Sequence, residues 1–273
     1  MILNESAISV STVMIGILFA ALIAGISFRV KFLTLSGSIA TFILAGFIFG
    51  LGGIKWSIPI LTFFILSSIL SKLRKKKNES VEIYFEKSGV RDYLQVIANG
   101  GLGGVLVVIN AVKPNEIYYM IYLATLSAVC ADTWATEIGT WKKTATYNIL
   151  NLQPVAQGVS GGISVHGTIG AVLGSITILF SGILWIDISY IHYTILIITT
   201  GVFGCMIDSI LGATIQAQNK CSVCNKVTER NVHCGTEADH FSGYKWINND
   251  VVNFFSGVAG ALFLLFLKTA IKI

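Results

Sequence analysis

The sequence predicts an all-α fold, a polytopic transmembrane helical bundle of about eight spans (roughly six to eight), some of them short or broken by glycine. Three observations predict it. Of 273 residues, 54% are hydrophobic and only 12% are charged, against roughly 25% charged in an ordinary soluble domain. The 19 Lys+Arg and 14 Asp+Glu fall in clusters. Between the clusters run apolar stretches long enough to cross a hydrocarbon core of about 30 Å as helices of about 20 residues. A soluble fold would lack the charge to wet its surface, and the same composition excludes disorder. Only 3 Pro and 5 unevenly placed Cys, with no sustained heptads, exclude collagen-like, coiled-coil and disulfide-framework architectures. The net charge of +5 is explained by membrane topology and implies no nucleic-acid partner.

Taken in order, the spans are expected at 9–28, 32–51, 57–73, 94–112, 117–137, 166–186, 190–213 and 251–269. The first is not a cleavable signal peptide, because Glu5 precedes it and no Lys or Arg does. The third is short, and the fourth contains NGGLGG (99–104), so either can be bent or re-entrant. Glycine elsewhere in the spans suits close helix packing in lipid. Residues 1–273 thus form a single integral membrane domain. Three loops carry the remaining information: a basic loop at 74–93, a Gly-rich loop at 138–165 and a Cys/His loop at 216–248.

Orientation follows from the basic residues. Placing Lys72, Arg74, Lys75, Lys76, Lys77, Lys87 and Arg91 in the cytoplasm also puts Arg29, Lys31, Lys142, Lys143, Lys220, Lys226, Arg230 and Lys245 there. Those 7 and 8 make 15 of the 19, leaving Lys55, Lys113, Lys268 and Lys272 outside. Both termini are therefore expected outside. The RKKK run (74–77) reads as a topogenic signal, with anionic lipid or phosphate as its other use.

Ionisable residues in a span cost about 2.5–3.5 kcal/mol on insertion scales, so each marks a candidate site. Four clusters qualify, all at cytoplasmic ends. RDYLQVIANGG (91–101) brings Arg91, Asp92, Gln95 and Asn99, the last two one helical turn apart. ADTWATEIG (131–139) brings Asp132, Thr133, Thr136 and Glu137, with Asp132 and Thr136 on one face. Asp208 and Ser209 close the seventh span, and Asn249, Asp250 and Asn253 open the eighth. Asn249 and Asp250 read equally as helix caps. Carboxylates with Asn are the hard oxygen ligands that magnesium takes beside substrate phosphates. A fifth element, QGVSGGISVHGTIG (157–170), offers the amides of Gly158, Ser160, Gly161 and Gly162 ahead of a helix, a phosphate cradle or a flexible loop. Lys142 and Lys143 can neutralise phosphate there, or be topogenic.

Cys130 and Cys205 lie in spans and read as packed thiols. In the loop 216–248, CSVC (221–224) precedes HCG (233–235) and His240. That is zinc-knuckle spacing, with Cys221, Cys224, Cys234 and one of His233 or His240 as ligands to a structural zinc. Free cytosolic thiols and a redox pair are the alternatives, and a structural disulfide is disfavoured in the cytoplasm.

The ordered motifs RDYLQVIANGG, ADTWATEIG, QPVAQGVSGGISVHGT, DSILGATIQ and NNDVVNFFSG are similar to those of the transmembrane protein 19 family, also called the domain of unknown function 92 family, from about residue 10 to 268. That resemblance points at Asn99, Asp132, Glu137, the stretch 158–162, Asp208, Asn249, Asp250 and Asn253. The Gly loop departs from the family pattern, keeping one Pro and having Ser160 in place of Asn. The CxxC loop belongs to only some members, which implies a role outside the chemistry. The family's plant phytyl-phosphate kinase branch implies a magnesium-dependent transfer of the γ-phosphate of a nucleoside triphosphate, CTP among the candidates, to a prenyl or phytyl monophosphate. More distantly, Asp132, Ala135 and Gly139 resemble a motif of dolichol kinases, phytol kinases and phosphatidate cytidylyltransferases. On this reading Asp132 and Asp208 hold magnesium, Arg91, the Gly loop and a nearby Lys stabilise phosphoryl charge, and Glu137 orients water or metal. The rivals are a lipid-phosphate cytidylyltransferase on the same site, and a transporter or flippase of an isoprenoid or anionic solute. The sequence has no repeat relating its halves, and its polar residues gather at one face.

Overall fold

The computed structural model describes residues 10–87 and 89–271. Glu5, residue 9 of the first expected span, Lys272 and the two outermost termini lie outside the described residues. Among the described residues there are seven α-helices: α1 (Val10–Arg29), α2 (Leu35–Lys77), α3 (Tyr93–Val112), α4 (Glu116–Gly139), α5 (Val165–Gly182), α6 (Tyr193–Thr214) and α7 (Asn249–Ile271). The fold is a polytopic helical membrane bundle. The eight apolar segments map onto seven helices because the second and third are the two halves of α2. At Gly53 the backbone takes φ 61°, ψ −157°, a region open in practice only to glycine, so the 43-residue helix breaks there without a loop.

Two expectations are corrected. The third segment is short only in its apolar run: the helix continues through the basic residues to Lys77. The fourth is not broken, since α3 is continuous through NGGLGG. Its glycines serve approach instead. A Cβ on Gly100 or Gly104 would lie 2.7 or 2.6 Å from Leu44 of α2, and one on Gly103 would lie 2.9 Å from Tyr122 of α4.

Helix α4 is the axis of the bundle, packed by α2, α3, α5, α6 and α7. Every residue from Tyr119 to Ala131 is buried. Shielded from lipid on all sides, α4 can carry Asp132 and Glu137, which an exposed span could not. Helix α5 closes on it through a stripe of small residues: a Cβ on Gly170 would meet the Trp134 carbonyl oxygen at 2.4 Å, and one on Gly174 the Cys130 oxygen at 2.8 Å. One end of the bundle is filled by aromatics, with Trp56 and Tyr122 ring centroids 4.8 Å apart and Trp56 and Tyr119 5.2 Å apart. Lys55 and Glu116 pair at 2.8 Å at that end.

The three loops singled out in the sequence meet at the opposite end. The loop 138–165 contains a short hairpin, β1 (Tyr147–Asn148) and β2 (Gly162–Ile163). The loop 216–248 is a small β module. Strands β3 (Gln218–Lys220), β4 (Val227–Thr228) and β7 (Asp239–Ser242) form one sheet in the order β4-β3-β7, and β5 (Val232–His233) pairs with β6 (Thr236–Glu237). The segment before α3 ties them together. Thr228 Oγ1 donates to the Ile83 oxygen at 2.7 Å, Arg230 donates to the Phe85 and Glu82 oxygens at 2.9 and 2.6 Å, and Asn78 Nδ2 donates to the Thr140 oxygen at 2.9 Å.

Candidate functional site

Below these loops the helix ends enclose a cavity of about 410 Å³, within the usual range of about 300–1,000 Å³ for small-molecule sites. Each wall follows from local chain chemistry. Helix α3 starts at Asp92, whose side chain accepts from the Gln95 amide at 3.0 Å in a capping box, which directs Asn99 inward one turn on. Helix α7 is started by Asn248, whose Oδ1 accepts from the Val251 amide at 3.2 Å. The cap is therefore neither Asn249 nor Asp250, and both line the cavity with Asn253. Asp132 of α4 and Asp208 of α6 line it from neighbouring helices.

Polar saturation separates structural groups from available ones. Glu137 is committed, accepting from Ser71 Oγ at 2.5 Å and from Arg74 Nε at 2.7 Å. Arg74, only 3% exposed, also binds Glu82. Lys87 holds Asp92 at 2.8 Å and contacts Asp250. Burial opposes its charge, but those two carboxylates keep its pKa above the ordinary lysine value. In contrast, the buried oxygens Asn99 Oδ1, Asp208 Oδ2, Asp250 Oδ1 and Asn253 Oδ1 have no hydrogen-bond partner among the described residues. A buried acceptor left unpaired costs about 1–3 kcal/mol, so four in one cavity mark it as the candidate site. Oxygen-only donors that include a carboxylate pair fit a hard divalent cation such as magnesium.

The same cavity is lined by a cation and a glycine-rich turn. Arg91 is buried, with its guanidinium against Ser68 and over the rings of Phe63 and Phe64. Among the described residues it has no carboxylate partner. Its own backbone is pinned to the α1–α2 turn, the Thr34 amide donating to the Arg91 oxygen and the Arg91 amide to the Phe32 oxygen, both at 3.0 Å. Across the cavity lies the Gly loop. Gly158 and Gly161 have φ of 92° and 78°, and a Cβ on Gly161 would fall 2.4 Å from that of Ala213. The loop is anchored by Gln157 Nε2, which donates to the oxygens of Gly139 and Lys142 at 2.7 Å each.

Comparison with known proteins agrees with this architecture. Residues 18–261 match the family described as integral membrane protein DUF92. The chain belongs to the DUF92 family of integral membrane proteins. This DUF92 chain is 31% identical over 265 residues to Protein PGR of Arabidopsis thaliana, covering 88% of this chain and 91% of that one. An uncharacterized membrane protein of Methanocaldococcus jannaschii is 30% identical over 167 residues, 60% of this chain and 66% of the other. Protein VTE6, chloroplastic, of Arabidopsis thaliana is 20% identical over 241 residues, 86% and 65% respectively. No solved structure matches significantly.

In this DUF92 protein Arg91, Asn99, Asp132, Glu137, Gly158, Ser160, Gly161, Gly162, Asp208, Asn249, Asp250 and Asn253 all line the one cavity. Lys142 and Lys143 do not; both side chains are exposed and outside the lining. The structure adds Arg74, Lys87 and Glu229. Glu229, from the Cys/His loop, accepts from Ser160 Oγ at 2.6 Å and from Gln216 Nε2 at 2.8 Å. Burial raises its carboxyl above the ordinary value, those hydrogen bonds opposing.

The Cys/His loop forms a second centre. The ligand atoms of Cys221, Cys224, His233 and Cys234 lie within 4.8 Å of one another. His233 Nδ1 sits 3.5 Å from Cys224 Sγ and 3.2 Å from Cys234 Sγ. His240 is apart, contacting the Gly243 oxygen at 3.1 Å, so the ambiguity over the fourth ligand falls to His233. The Cys224 amide, with further hydrogen bonds from His233 and the Val223 amide, outweighs desolvation and brings the Cys221 thiol down to about 6. The chemistry suits a thiolate metal ligand. Cys130 and Cys205 are buried, as packed thiols.

Proposed function

We propose that this protein is a membrane isoprenoid-phosphate kinase, transferring the γ-phosphoryl group of a nucleoside triphosphate to a prenyl or phytyl monophosphate. The observation that carries the reading is the pairing, in one cavity, of four unpartnered oxygens (Asn99, Asp208, Asp250, Asn253) with an ion-pair-free Arg91 and a glycine-rich turn. Such a set takes a cation and a phosphate together. The resemblance of the motifs to the plant phytyl-phosphate kinase branch of the family supports the same reaction.

Asp132 and Asp208, with the oxygens of Asn99 and Asn253 in the same lining, are the residues that would hold magnesium, whose contribution is to neutralise charge on the phosphates. Arg91 and the amides of 158–162 bind and orient the phosphates. An oxygen of the lipid monophosphate bonds to the γ-phosphorus as the β–γ bridge breaks, leaving a lipid diphosphate and a nucleoside diphosphate. The acceptor is already an anion, so no strong base is required. Glu137, accepting from Ser71 and Arg74, positions α2 against α4 at the cavity wall. The gathering of the 74–93, 138–165 and 216–248 loops at one end supports a cytoplasmic site with both termini outside, by the positive-inside rule. The solid aromatic packing of Trp56, Tyr119 and Tyr122 at the other end weighs against the transporter reading.

The test uses purified protein in detergent with magnesium, a geranylgeranyl or phytyl monophosphate, and each nucleoside triphosphate labelled at the γ-position. Label in a prenyl diphosphate is the expected product. A CDP-lipid with released pyrophosphate would assign the cytidylyltransferase reaction, and no transfer from any nucleotide by intact protein would reject both.

A further inference from the structure

The β module outside the membrane contributes Gln216 and Glu229 to the cavity, and the chain path explains how Glu229 comes to be there. Cys221 and Cys224 occupy the turn between β3 and β4, where the Cys221 amide donates to the Lys226 oxygen at 3.0 Å and the Asn225 amide to the Cys221 oxygen at 2.9 Å. His233 ends β5 and Cys234 begins the tight turn to β6, with Cys234 and Gly235 at positive φ. Glu229 sits between the two ligand pairs, directly after β4. Its amide donates to the Tyr84 oxygen at 3.0 Å. Its Oε1 accepts from Ser160 and Gln216, and its Oε2 accepts from the Glu86 amide at 3.3 Å. One carboxylate thus joins the Gly turn, the end of α6 and the segment leading to α3.

Little in the module itself can hold this arrangement. Its strands are two to four residues long, and its buried side chains are mostly polar: Gln216, Asn219, Thr228 and His233, with Cys221 and Ile247. A segment of this size without an apolar core needs a staple, and metal binding free energy then becomes folding free energy. Three sulfurs and an imidazole nitrogen converging on one point are a tetrahedral zinc donor set.

We propose that Cys221, Cys224, His233 and Cys234 bind one zinc(II) ion, and that this ion positions Glu229 and through it the Gly158–Gly162 turn at the cavity. Glu229 is a positioning residue. Its effect on turnover rests on the kinase reading; the metal-dependent ordering of the turn does not.

The experiment takes the full chain in detergent, measures zinc by elemental mass spectrometry, and follows backbone hydrogen exchange over 82–86 and 157–163. Zinc is then removed with a chelator and returned. We expect one zinc per chain, exchange in both segments about tenfold faster after removal, as for loss of an outer-shell support, and recovery on zinc addition, with α4 unchanged. Glu229→Ala should keep its zinc yet exchange over 157–163 as fast as the stripped protein, while Glu229→Gln, which retains an oxygen for Ser160 and Gln216, should stay near wild type. A chain with reduced thiols that holds no zinc overturns the site. Zinc loss with unchanged exchange, or Glu229→Ala with a wild-type pattern, overturns the coupling. If stripping unfolds the chain, Glu229→Ala decides the coupling alone. An exchange response in a protein that transfers no phosphoryl group would refute the kinase and leave this inference standing.

Discussion

Arg74 offers the sharpest test of how the site end of the bundle is held together. It is the first residue of a basic run whose other members face outward, yet its side chain is 4% exposed and bridges Glu82 and Glu137, themselves 10% and 9% exposed. Nε serves one carboxylate and Nη1 the other, a fork that Lys cannot reproduce. Arg74→Met keeps much of the packing volume and strands two buried carboxylates. Removing one partner of a buried ion pair costs about 3–5 kcal/mol. At about 2–4 °C per kcal/mol for a chain of this size, the melting temperature should fall by roughly 6–20 °C. The assay is thermal unfolding of detergent-purified protein followed by tryptophan fluorescence. Lys75→Met is the control: Lys75 is 46% exposed and 3.7 Å from Glu82, so its loss should cost less than about 1 kcal/mol. Adding Glu137→Gln to Arg74→Met should recover part of the loss, since one stranded charge is removed. An Arg74→Met protein melting within about 2 °C of wild type, or no lower than Lys75→Met, would refute the reasoning.

Three further predictions address the cavity. Asp208→Asn should reduce phosphoryl transfer by about a hundredfold or more, a metal contact being worth several kcal/mol of charge stabilisation, while the helical circular dichroism stays unchanged; full turnover would remove Asp208 from the site. Gly161→Ala should raise the KM for nucleotide or lipid phosphate by about tenfold or more, because a Cβ at φ 78° would sit 2.4 Å from that of Ala213 and shift the phosphate-facing turn by the sort of distance that costs orders of magnitude in rate; steady-state kinetics would show it. Glu86 responds to pH. Burial, reinforced by Asp250 and Asp92 and opposed by Lys87, raises its carboxyl above 4.5, so the folded state holds its proton more tightly than the unfolded one. That contribution is complete below about pH 4.5 and is lost as pH rises through the raised folded value. The melting temperature of wild type should therefore fall more steeply above pH 4.5 than that of Glu86→Gln, and parallel profiles would contradict the assignment.

Much of the fold was legible because lipid imposes a simple rule: about 20 apolar residues per crossing. The segments expected at 94–112 and 251–269 lie within a few residues of α3 and α7. What composition could not convey was how segments join. Spans two and three fuse through Gly53 because one glycine conformation turns the helix without a loop. NGGLGG looks like a breaker when read locally, yet α2 and α4 press on its glycines and hold it helical. In the site, acids and Asn inside spans were visible because their cost in lipid is high wherever they point. Arg74 was hidden among three lysines of the same charge. A signal was present: Phe63, Ser67, Ser71 and Arg74 are buried at helical spacing along one face of α2, a small-residue stripe leading straight to the arginine. Glu229 had no such signal, because its place depends on three separate loops meeting, a tertiary fact that no local pattern carries.

The charge balance of the cavity argues further for what it binds. Arg74 is consumed by Glu82 and Glu137, and Lys87 by Asp92 and Asp250. What remains is Asp132 against Asp208, Glu86 and Glu229 with carboxyls raised by burial, and Arg91 alone. A bare phosphate would meet more negative than positive charge here, and a bare cation would leave the buried guanidinium without a partner. On the proposed function, a metal–nucleotide complex would satisfy both, with Asp132, Asp208, Asn99 and Asn253 as the residues that would hold the cation and Arg91 and the Gly loop those that would bind the phosphates. Nucleotide and magnesium should therefore bind with mutual reinforcement, each weakly alone. Isothermal titration of one in the presence and absence of the other measures that coupling, which by linkage must be equal in both directions. Independent binding of the two would show that the unpartnered oxygens and Arg91 do not share a ligand.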